Sequence, residues 1–216
     1  MTIVKPIPDT NFPRQTITSL SLPGSELHYQ PDLFDATESA HYFSELAKLS
    51  GWEARPIMVY GKQCCQNRKT NFYGELGTNY RYSGIDNPGT GEVPEVLRLI
   101  TTRVETTLVE SNLLAHGQHF NYWLGNYYQD GTNNIGMHSD DERGLVGPIV
   151  SLSFGSDRYF DIRSRHSTSA PKTRLNLLTG SMLVMAGETQ KNYLHGVPTQ
   201  RKIKSPRINI TLRMVS

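Results

Sequence analysis

The sequence has few cysteines and no long apolar run. Only Cys64 and Cys65 are present among 216 residues, and a disulfide between neighbouring residues is strained and uncommon. We therefore expect two reduced thiols, with a reactive pair or a soft-metal site as the alternatives. No window reaches the apolar length of a membrane span, and the first residues lack the apolar core of a signal peptide. These absences predict an intracellular protein with no membrane role, whose residues 1–20 form a loose arm.

The sequence also lacks a strong excess of charge of either sign. The formal net charge is +2, which alone says little about a nucleic-acid partner. Positive residues nevertheless recur in three segments, 55–81, 163–174 and 201–204, around an acidic cluster at 140–142. Such a distribution is compatible with phosphate contacts, and ordinary solvated surface is the alternative.

The spacing of apolar residues predicts two helices followed by short strands. Apolar side chains recur at steps of three and four over residues 35–49, and again from Val93 to about Val109. Both helices are expected to cover a flatter element. From Asn121 onward the pattern changes to seven short β-type runs separated by glycines. They cover residues 121–128, 148–154, 158–163, 174–179, 181–185, 192–197 and 207–215. This order predicts a single α+β domain of the sandwich or jelly-roll type.

Two histidines and one aspartate form a candidate metal site. In an extended segment residues i and i+2 point to one face, so His138 and Asp140 can converge on one ion. His195 would come from a later strand. Two imidazoles and one carboxylate leave a face of the metal open, which suits Fe(II) that also binds a chelating co-substrate and dioxygen. Zinc, or a structural pair without metal, is the alternative for these residues.

The last predicted strand alternates between polar and apolar side chains. Its polar face carries Arg207, Asn209, Thr211 and Arg213, and Ile208, Ile210 and Leu212 occupy the other face. Two inward-facing guanidinium groups require anions, and a bound dicarboxylate would supply them. Internal Asp or Glu partners, or an edge strand that faces water, are the alternatives.

Several segments of the chain together resemble the AlkB family of iron- and 2-oxoglutarate-dependent nucleic-acid dealkylases. They are Leu124-Gly125-Asn126-Tyr127-Tyr128, residues 135–142 from Ile135 to Glu142, residues 148–155, His195 and residues 207–213. The resemblance covers about residues 52–215. It implies a double-stranded β-helix, a form of jelly roll, as the catalytic core over about residues 115–216, with N-terminal helices. A β-hairpin nucleotide-recognition lid would occupy about residues 52–90.

The resemblance also implies the residues of the metal and co-substrate sites. His138, Asp140 and His195 would be the iron ligands and the catalytic centre. The 2-oxoglutarate pocket would consist of Asn126, Tyr128, Arg207, Asn209 and Arg213. Arg207 and the Tyr128 hydroxyl would bind the distal carboxylate, and the other three would lie nearer the metal-chelating end.

The upstream segment resembles the lid of the family branch that acts on duplex DNA. Tyr82 and the His138 ring would stack on a flipped base, Tyr60 would fill the gap in the duplex, and Glu142 would accept from an exocyclic amine. Tyr80, Arg68 and Lys69 complete the predicted substrate-binding set. For the tyrosines, core or cross-strand packing is the alternative, and for Glu142 it is solvated surface.

The function implied by the resemblance is repair of 1-methyladenine and 3-methylcytosine in DNA by oxidative demethylation. Fe(II) would be the cofactor, 2-oxoglutarate and O2 the co-substrates, and formaldehyde, succinate and CO2 the products. The partner would be DNA, with duplex favoured and single strands possible, and the protein a monomer located in the cytoplasm if bacterial or the nucleus if eukaryotic. The alternatives are a demethylase of RNA or single strands, a 2-oxoglutarate hydroxylase of protein or small molecules, and a non-enzymatic jelly-roll binding module.

Overall fold

The computed structural model describes residues 16–59, 62–82, 85–167, 169 and 171–216. The helices of this part of the chain are α1 (Ala36–Ala47), α2 (Glu95–Glu110) and the short α3 (Thr189–Asn192). The strands are β1 (Thr18–Leu20), β2 (Glu26–Gln30), β3 (Pro56–Val59), β4 (Lys62–Cys65), β5 (Lys69–Gly74), β6 (Asn79–Tyr82), β7 (Ile85–Pro88), β8 (Tyr122–Tyr128), β9 (Ile135–His138), β10 (Leu145–Gly155), β11 (Arg158–Ser164), β12 (Thr173–Leu177), β13 (Met182–Ala186), β14 (Tyr193–Val197) and β15 (Arg207–Val215).

Most strands belong to two antiparallel sheets that pack face to face. The large sheet has the order β1-β2-β13-β10-β15-β8-β5, and the small sheet has the order β12-β11-β14-β9. In the space between the two sheets, Ile149 and Leu183 of the large sheet pack with Phe160 and Ile162 of the small sheet in one apolar cluster. The predicted α+β fold with a jelly-roll core is confirmed, and each of the seven strand predictions corresponds to an observed strand.

Both predicted helices are present and cover the outer face of the large sheet. α1 begins after Asp35, whose carboxylate accepts from the backbone N–H of Glu38 at 2.8 Å, while the Glu38 carboxylate accepts from the backbone N–H of Asp35. Buried residues of both helices belong to one apolar cluster with Leu152 of β10 and Ile210 of β15. The structure therefore confirms that the helices lie over a flatter element. Among the described residues, no helix is long and apolar enough to cross a membrane.

Four strands of the two sheets, β1, β2, β5 and β9, are not among the seven that the sequence predicted. β1 and β2 precede α1 and extend the large sheet, with Thr18 paired to Tyr29, and β9 is the edge of the small sheet. Residues 1–15 of the predicted loose arm lie outside the described residues. Residues 18–20 of that arm are not loose, because they form β1.

The segment predicted as the lid, residues 52–90, contains two hairpins and one strand of the large sheet. β3 pairs with β4, and β6 pairs with β7. Between the hairpins, β5 pairs with β8 and forms an edge of the large sheet. The hairpins are therefore attached to the core through β5, and Tyr60 lies outside the described residues.

A glycine in β8 makes room for the indole that lies over the end of α1. A Cβ atom on Gly125 would lie 2.5 Å from Cη2 of Trp52, closer than two carbon atoms can approach. The Trp52 indole N–H donates to the carbonyl of Leu46, in the last turn of α1, at 3.1 Å. Gly125 thus has a packing role on the helix-facing side of the strand, between Leu124 and Asn126.

Candidate active site and metal centre

The three predicted metal ligands meet where β9 and β14 pair. His138 is the last residue of β9 and lies opposite His195 of β14 in the strand register. Asp140 follows β9 by two residues. One oxygen of Asp140 lies 3.7 Å from Nε2 of His138, and the other lies 3.9 Å from Nε2 of His195. One ligand atom from each of the three side chains lies within 4.8 Å of the others. Two ligands of one first-row metal ion, each about 2.1 Å from it, are at most about 4.2 Å apart, so small side-chain shifts bring the three onto a single ion.

Neighbouring groups orient the two imidazole rings. Nδ1 of His138 lies 2.9 Å from the carbonyl oxygen of Gly136, an arrangement that places the proton on Nδ1 and leaves Nε2 as a ligand. The His195 ring stacks on Phe160, with ring centroids 5.2 Å apart and planes 22° apart. Both Nε2 atoms therefore face Asp140.

The electrostatics of the site favour the protonation states that a metal requires. Burial alone would raise the pKa of Asp140, but the positive charge of Arg213, with smaller contributions from the two histidines, lowers it to about 2. Burial, assisted by His138, lowers the pKa of His195 to about 3. At neutral pH the carboxylate is therefore ionised and the buried imidazole is neutral, as metal ligands must be.

The loop that carries Asp140 is held by residues that the sequence did not single out. The backbone N–H of Asp140 donates to the side-chain oxygen of Gln190 in α3 at 3.0 Å. Arg165, just after β11, donates both to Asp141 at 2.9 Å and to the backbone carbonyl of Gln190 at 3.1 Å. No spacing or motif marks Gln190, because its role follows from the position of α3 beside the loop.

The polar face of β15 points into the same cavity as the metal ligands. Arg207, Asn209, Thr211 and Arg213 line this cavity, and Ile208, Ile210 and Leu212 pack beneath the helices. In the register, Arg207 lies opposite Tyr128 and Asn209 lies opposite Asn126. The structure therefore brings together all eight side chains predicted for the metal and 2-oxoglutarate sites.

The two arginines of β15 retain buried donors without protein partners. Arg207 donates from Nη2 to Ser153 at 2.9 Å, and Arg213 contacts Asp140 through Nη2 at 3.1 Å. Nε and Nη1 of both residues are buried, and no hydrogen bond to them is found within the described residues. Burial lowers the pKa of Arg207 to about 10. Since unpaired buried donors are unfavourable, this donor set fits a dicarboxylate.

Four of the predicted substrate-binding residues line a second recess beside the metal ligands. Tyr82, Arg68, Glu142 and His138 all contribute to this recess, which we call the cleft, as do the exposed thiols of Cys64 and Cys65. Tyr82 and His138 also line the inner cavity. The cleft therefore opens towards the metal ligands.

Two other predicted substrate residues are placed differently. Tyr80 has no exposed surface, and its ring packs against Tyr122 and under the guanidinium of Arg213, 5.0 Å from the ring centroid. This is the position of a core aromatic residue. Lys69 begins β5 opposite Tyr127 and is not part of the cleft lining. A direct contact of either side chain with substrate stays a prediction.

The amino-acid sequence matches one family model and several known proteins. Residues 26–213 match the model of the 2OG-Fe(II) oxygenase superfamily. The DNA oxidative demethylase ALKBH2 of Bos taurus is 37% identical over 195 residues, which are 85% of this chain and 66% of that protein. ALKBH2 of Homo sapiens is 35% identical, over 85% of this chain and 71% of that protein. The chain thus spans about two thirds of the length of these curated relatives.

A solved structure shows a similar fold. The structure of OsALKBH1 superposes with a TM-score of 0.61 at 18% sequence identity, over 90% of this chain and all of that one. At this level of identity the likeness concerns the fold alone.

Replacement of Arg207 tests the co-substrate pocket. We expect Arg207→Gln to weaken 2-oxoglutarate binding to the metal-loaded protein at least about tenfold, because a charge-assisted contact contributes about 1.5–3 kcal/mol. Calorimetric titration would measure this affinity. Arg158→Gln is the matched control, since Arg158 also lies over Tyr128 but is fully buried with partners on Gln200 and three backbone carbonyls. Arg158→Gln should instead lower the free energy of unfolding. An equal loss of 2-oxoglutarate affinity in both variants would contradict the assignment of Arg207 to the co-substrate pocket.

Replacement of Gln190 tests the support of the metal-ligand loop. We expect Gln190→Ala to weaken Co(II) affinity about 10-fold or more, because groups that orient metal ligands typically contribute that much. Competition with a chelating dye would measure the affinity. Lys191→Ala, on the exposed side of the same helix, is the control. Identical affinities for Gln190→Ala and the unmodified protein would rule out this role.

Proposed function

Because this chain belongs to the 2OG-Fe(II) oxygenase superfamily and, within it, to the AlkB family, we propose that it is an oxidative demethylase of DNA. The substrates are 1-methyladenine and 3-methylcytosine. The observation that carries the proposal is the cavity in which His138, Asp140 and His195 meet the unpartnered donors of β15, beside a cleft with an aromatic wall. Such a cavity suits a metal and a dicarboxylate together.

The residues of the cavity divide into two groups. His138, Asp140 and His195 would hold iron, and Arg207 with Tyr128 would hold the distal carboxylate of 2-oxoglutarate. Asn126, Asn209 and Arg213 would lie nearer the chelating end, which agrees with the contact between Arg213 and Asp140. When bound, iron and 2-oxoglutarate would supply the oxidation of the N-methyl group by dioxygen, which yields formaldehyde, succinate and CO2.

The cleft would receive a base that has left the duplex. A base inside a duplex cannot reach buried ligands, so the nucleotide is flipped out and held between stacking faces. Tyr82 and His138 provide two such faces, since both line the cleft and the inner cavity. The methyl group of these lesions sits on the pairing edge and weakens the base pair, so a damaged base flips more readily than a normal one.

Glu142 would contact the exocyclic amine of the flipped base. It is half-buried at the cleft, and burial together with the negative charge of Asp140 raises the pKa of this carboxyl group. In its ionised form it accepts hydrogen bonds from an amine, as carboxylates do at the amine of cytosine. The base would thereby be oriented with its methyl group towards the metal ligands.

Phosphate contacts would come mainly from the turn after β14. In the segment 163–174, Lys172 and Arg174 already bind Asp161, and Arg165 binds Asp141. The positive residues of 201–204 are exposed. DNA affinity should therefore fall with salt. We further propose that the enzyme acts as a monomer, mainly on duplex DNA, in the cytoplasm of a bacterium or the nucleus of a eukaryote.

A demethylation assay tests the proposal. The protein would be incubated with Fe(II), ascorbate, 2-oxoglutarate and matched single- and double-stranded oligonucleotides that carry 1-methyladenine. We expect the mass of the methylated strand to fall by that of a CH2 group, because hydrogen replaces the methyl group, and Asp140→Ala to leave the mass unchanged. An unchanged mass on both substrates, with the metal bound, would overturn the proposed function.

The preference for duplex is tested at Tyr60, which lies outside the described residues. If Tyr60 fills the gap left by the flipped base, Tyr60→Ala should reduce kcat/KM on duplex about tenfold or more, since unstacking involves a few kcal/mol per step. On single strands, where no gap forms, kcat/KM should be nearly unchanged. An equal loss on both substrates would contradict a role of Tyr60 as a wedge.

A further inference from the structure

One guanidinium group lies between the co-substrate cavity and the substrate cleft. Arg68 precedes β5 and is 6% exposed. Its Nε–H donates to the side-chain oxygen of Asn126 at 2.6 Å, and its Nη2 donates to the hydroxyl of Tyr82 at 2.7 Å. A single guanidinium group thus contacts both a residue of the 2-oxoglutarate pocket and a wall of the cleft.

The series of hydrogen bonds continues from Asn126 to residues of β15 and β10. The Asn126 amide donates to the side-chain oxygen of Asn209 at 3.2 Å. The Asn209 amide in turn donates to Ser151 Oγ at 2.9 Å and to the backbone carbonyl of Leu152 at 2.8 Å. Because each amide uses both its oxygen and its nitrogen, its orientation is fixed. This series of hydrogen bonds therefore links β10, β15 and β8 to Tyr82.

The positive charge of Arg68 makes this series of hydrogen bonds sensitive to a nearby anion. Its two acceptors, an amide oxygen and a phenol oxygen, are both neutral. A buried cation held by neutral groups is stabilised by a nearby negative charge. A dicarboxylate bound beside Asn126 would supply that charge, and it would favour the arrangement in which Arg68 holds the Tyr82 ring.

We propose that Arg68 is a positioning residue that couples 2-oxoglutarate binding to stacking of the nucleotide on Tyr82. The inference rests on the proposed function of the two sites. Coupling between two binding sites is reciprocal, so 2-oxoglutarate increases affinity for the methylated nucleotide by the same factor by which the nucleotide increases affinity for 2-oxoglutarate. Tyr82 transmits the effect through its hydroxyl group, whereas its ring alone suffices for stacking.

The Tyr82 hydroxyl group allows a test that leaves the stacking ring in place. Tyr82→Phe removes the acceptor of Arg68, and Arg68→Lys keeps the charge but not the two directed contacts. Tyr159→Phe is the matched control, because Tyr159 is 39% exposed and stacks under Arg174 of the small sheet. The affinity of the Mn(II)-loaded protein for a single-stranded oligonucleotide with 1-methyladenine would be measured with and without 2-oxoglutarate.

The coupling factor is the ratio of these two dissociation constants. We expect at least about fivefold coupling in the unmodified protein and in Tyr159→Phe, which is the lower end of typical allosteric coupling. Tyr82→Phe should bring the factor close to one, because it removes the acceptor of Arg68 while the ring stays available for stacking. Arg68→Lys should lose the coupling and also weaken 2-oxoglutarate binding alone, because Asn126 loses its donor.

Two results would overturn the inference: no coupling in the unmodified protein, or the same coupling in Tyr82→Phe. Melting temperatures would identify a variant that fails to fold, and Tyr82→Phe remains decisive if Arg68→Lys does fail. Demethylation of the same oligonucleotide with Fe(II) separates the two proposals. Repair without coupling would count against the role of Arg68 alone, whereas coupling without repair would count against the proposed function alone.

Discussion

The contact between Arg213 and Asp140 is the interaction on which the rest of the site depends. It joins β15, an interior strand of the large sheet, to the loop that follows β9 of the small sheet, and both side chains are almost fully buried. Loss of either partner would leave an unpaired buried charge, which is strongly destabilising. The same contact keeps the Asp140 carboxylate ionised, positions it between two imidazoles, and leaves the other donors of Arg213 directed at the cavity.

The jelly roll explains why these residues meet although they are far apart in sequence. The small sheet contributes both histidines through one cross-strand pair, and the large sheet contributes the arginines and asparagines of β15 and β8. The space between the sheets is therefore polar at the metal-ligand end and apolar around Ile149 and Phe160. The helices α1 and α2 cover the outer face of the large sheet, so they stabilise the scaffold without entering the cavity.

The helices and strands that the sequence predicted are those whose apolar residues recur with a regular period. The alternation of β15 has the two-residue period of a strand, which identified both its apolar face and its arginine face. β9 was missed because it is four residues long and contains Gly136, so it carries no alternation. The sequence did not distinguish Tyr80 from Tyr82, since both occupy one face of β6. Their difference in burial arises from Tyr122 and Arg213, which other strands contribute. Gln190 was missed for the same reason, because its partner lies 50 residues earlier in the chain.

Gly125 has a consequence for how relatives of this chain diverge. Its backbone lies under the Trp52 indole, so a side chain at position 125 is compatible only with a smaller residue at position 52. The two positions should therefore covary among homologues: a glycine where the bulky indole is retained, and a larger residue where it has been replaced. That covariation would arise on the helix-covered face of β8. The neighbouring Leu124 and Asn126 line the cavity on the other face, so the contents of the cavity constrain their side chains instead.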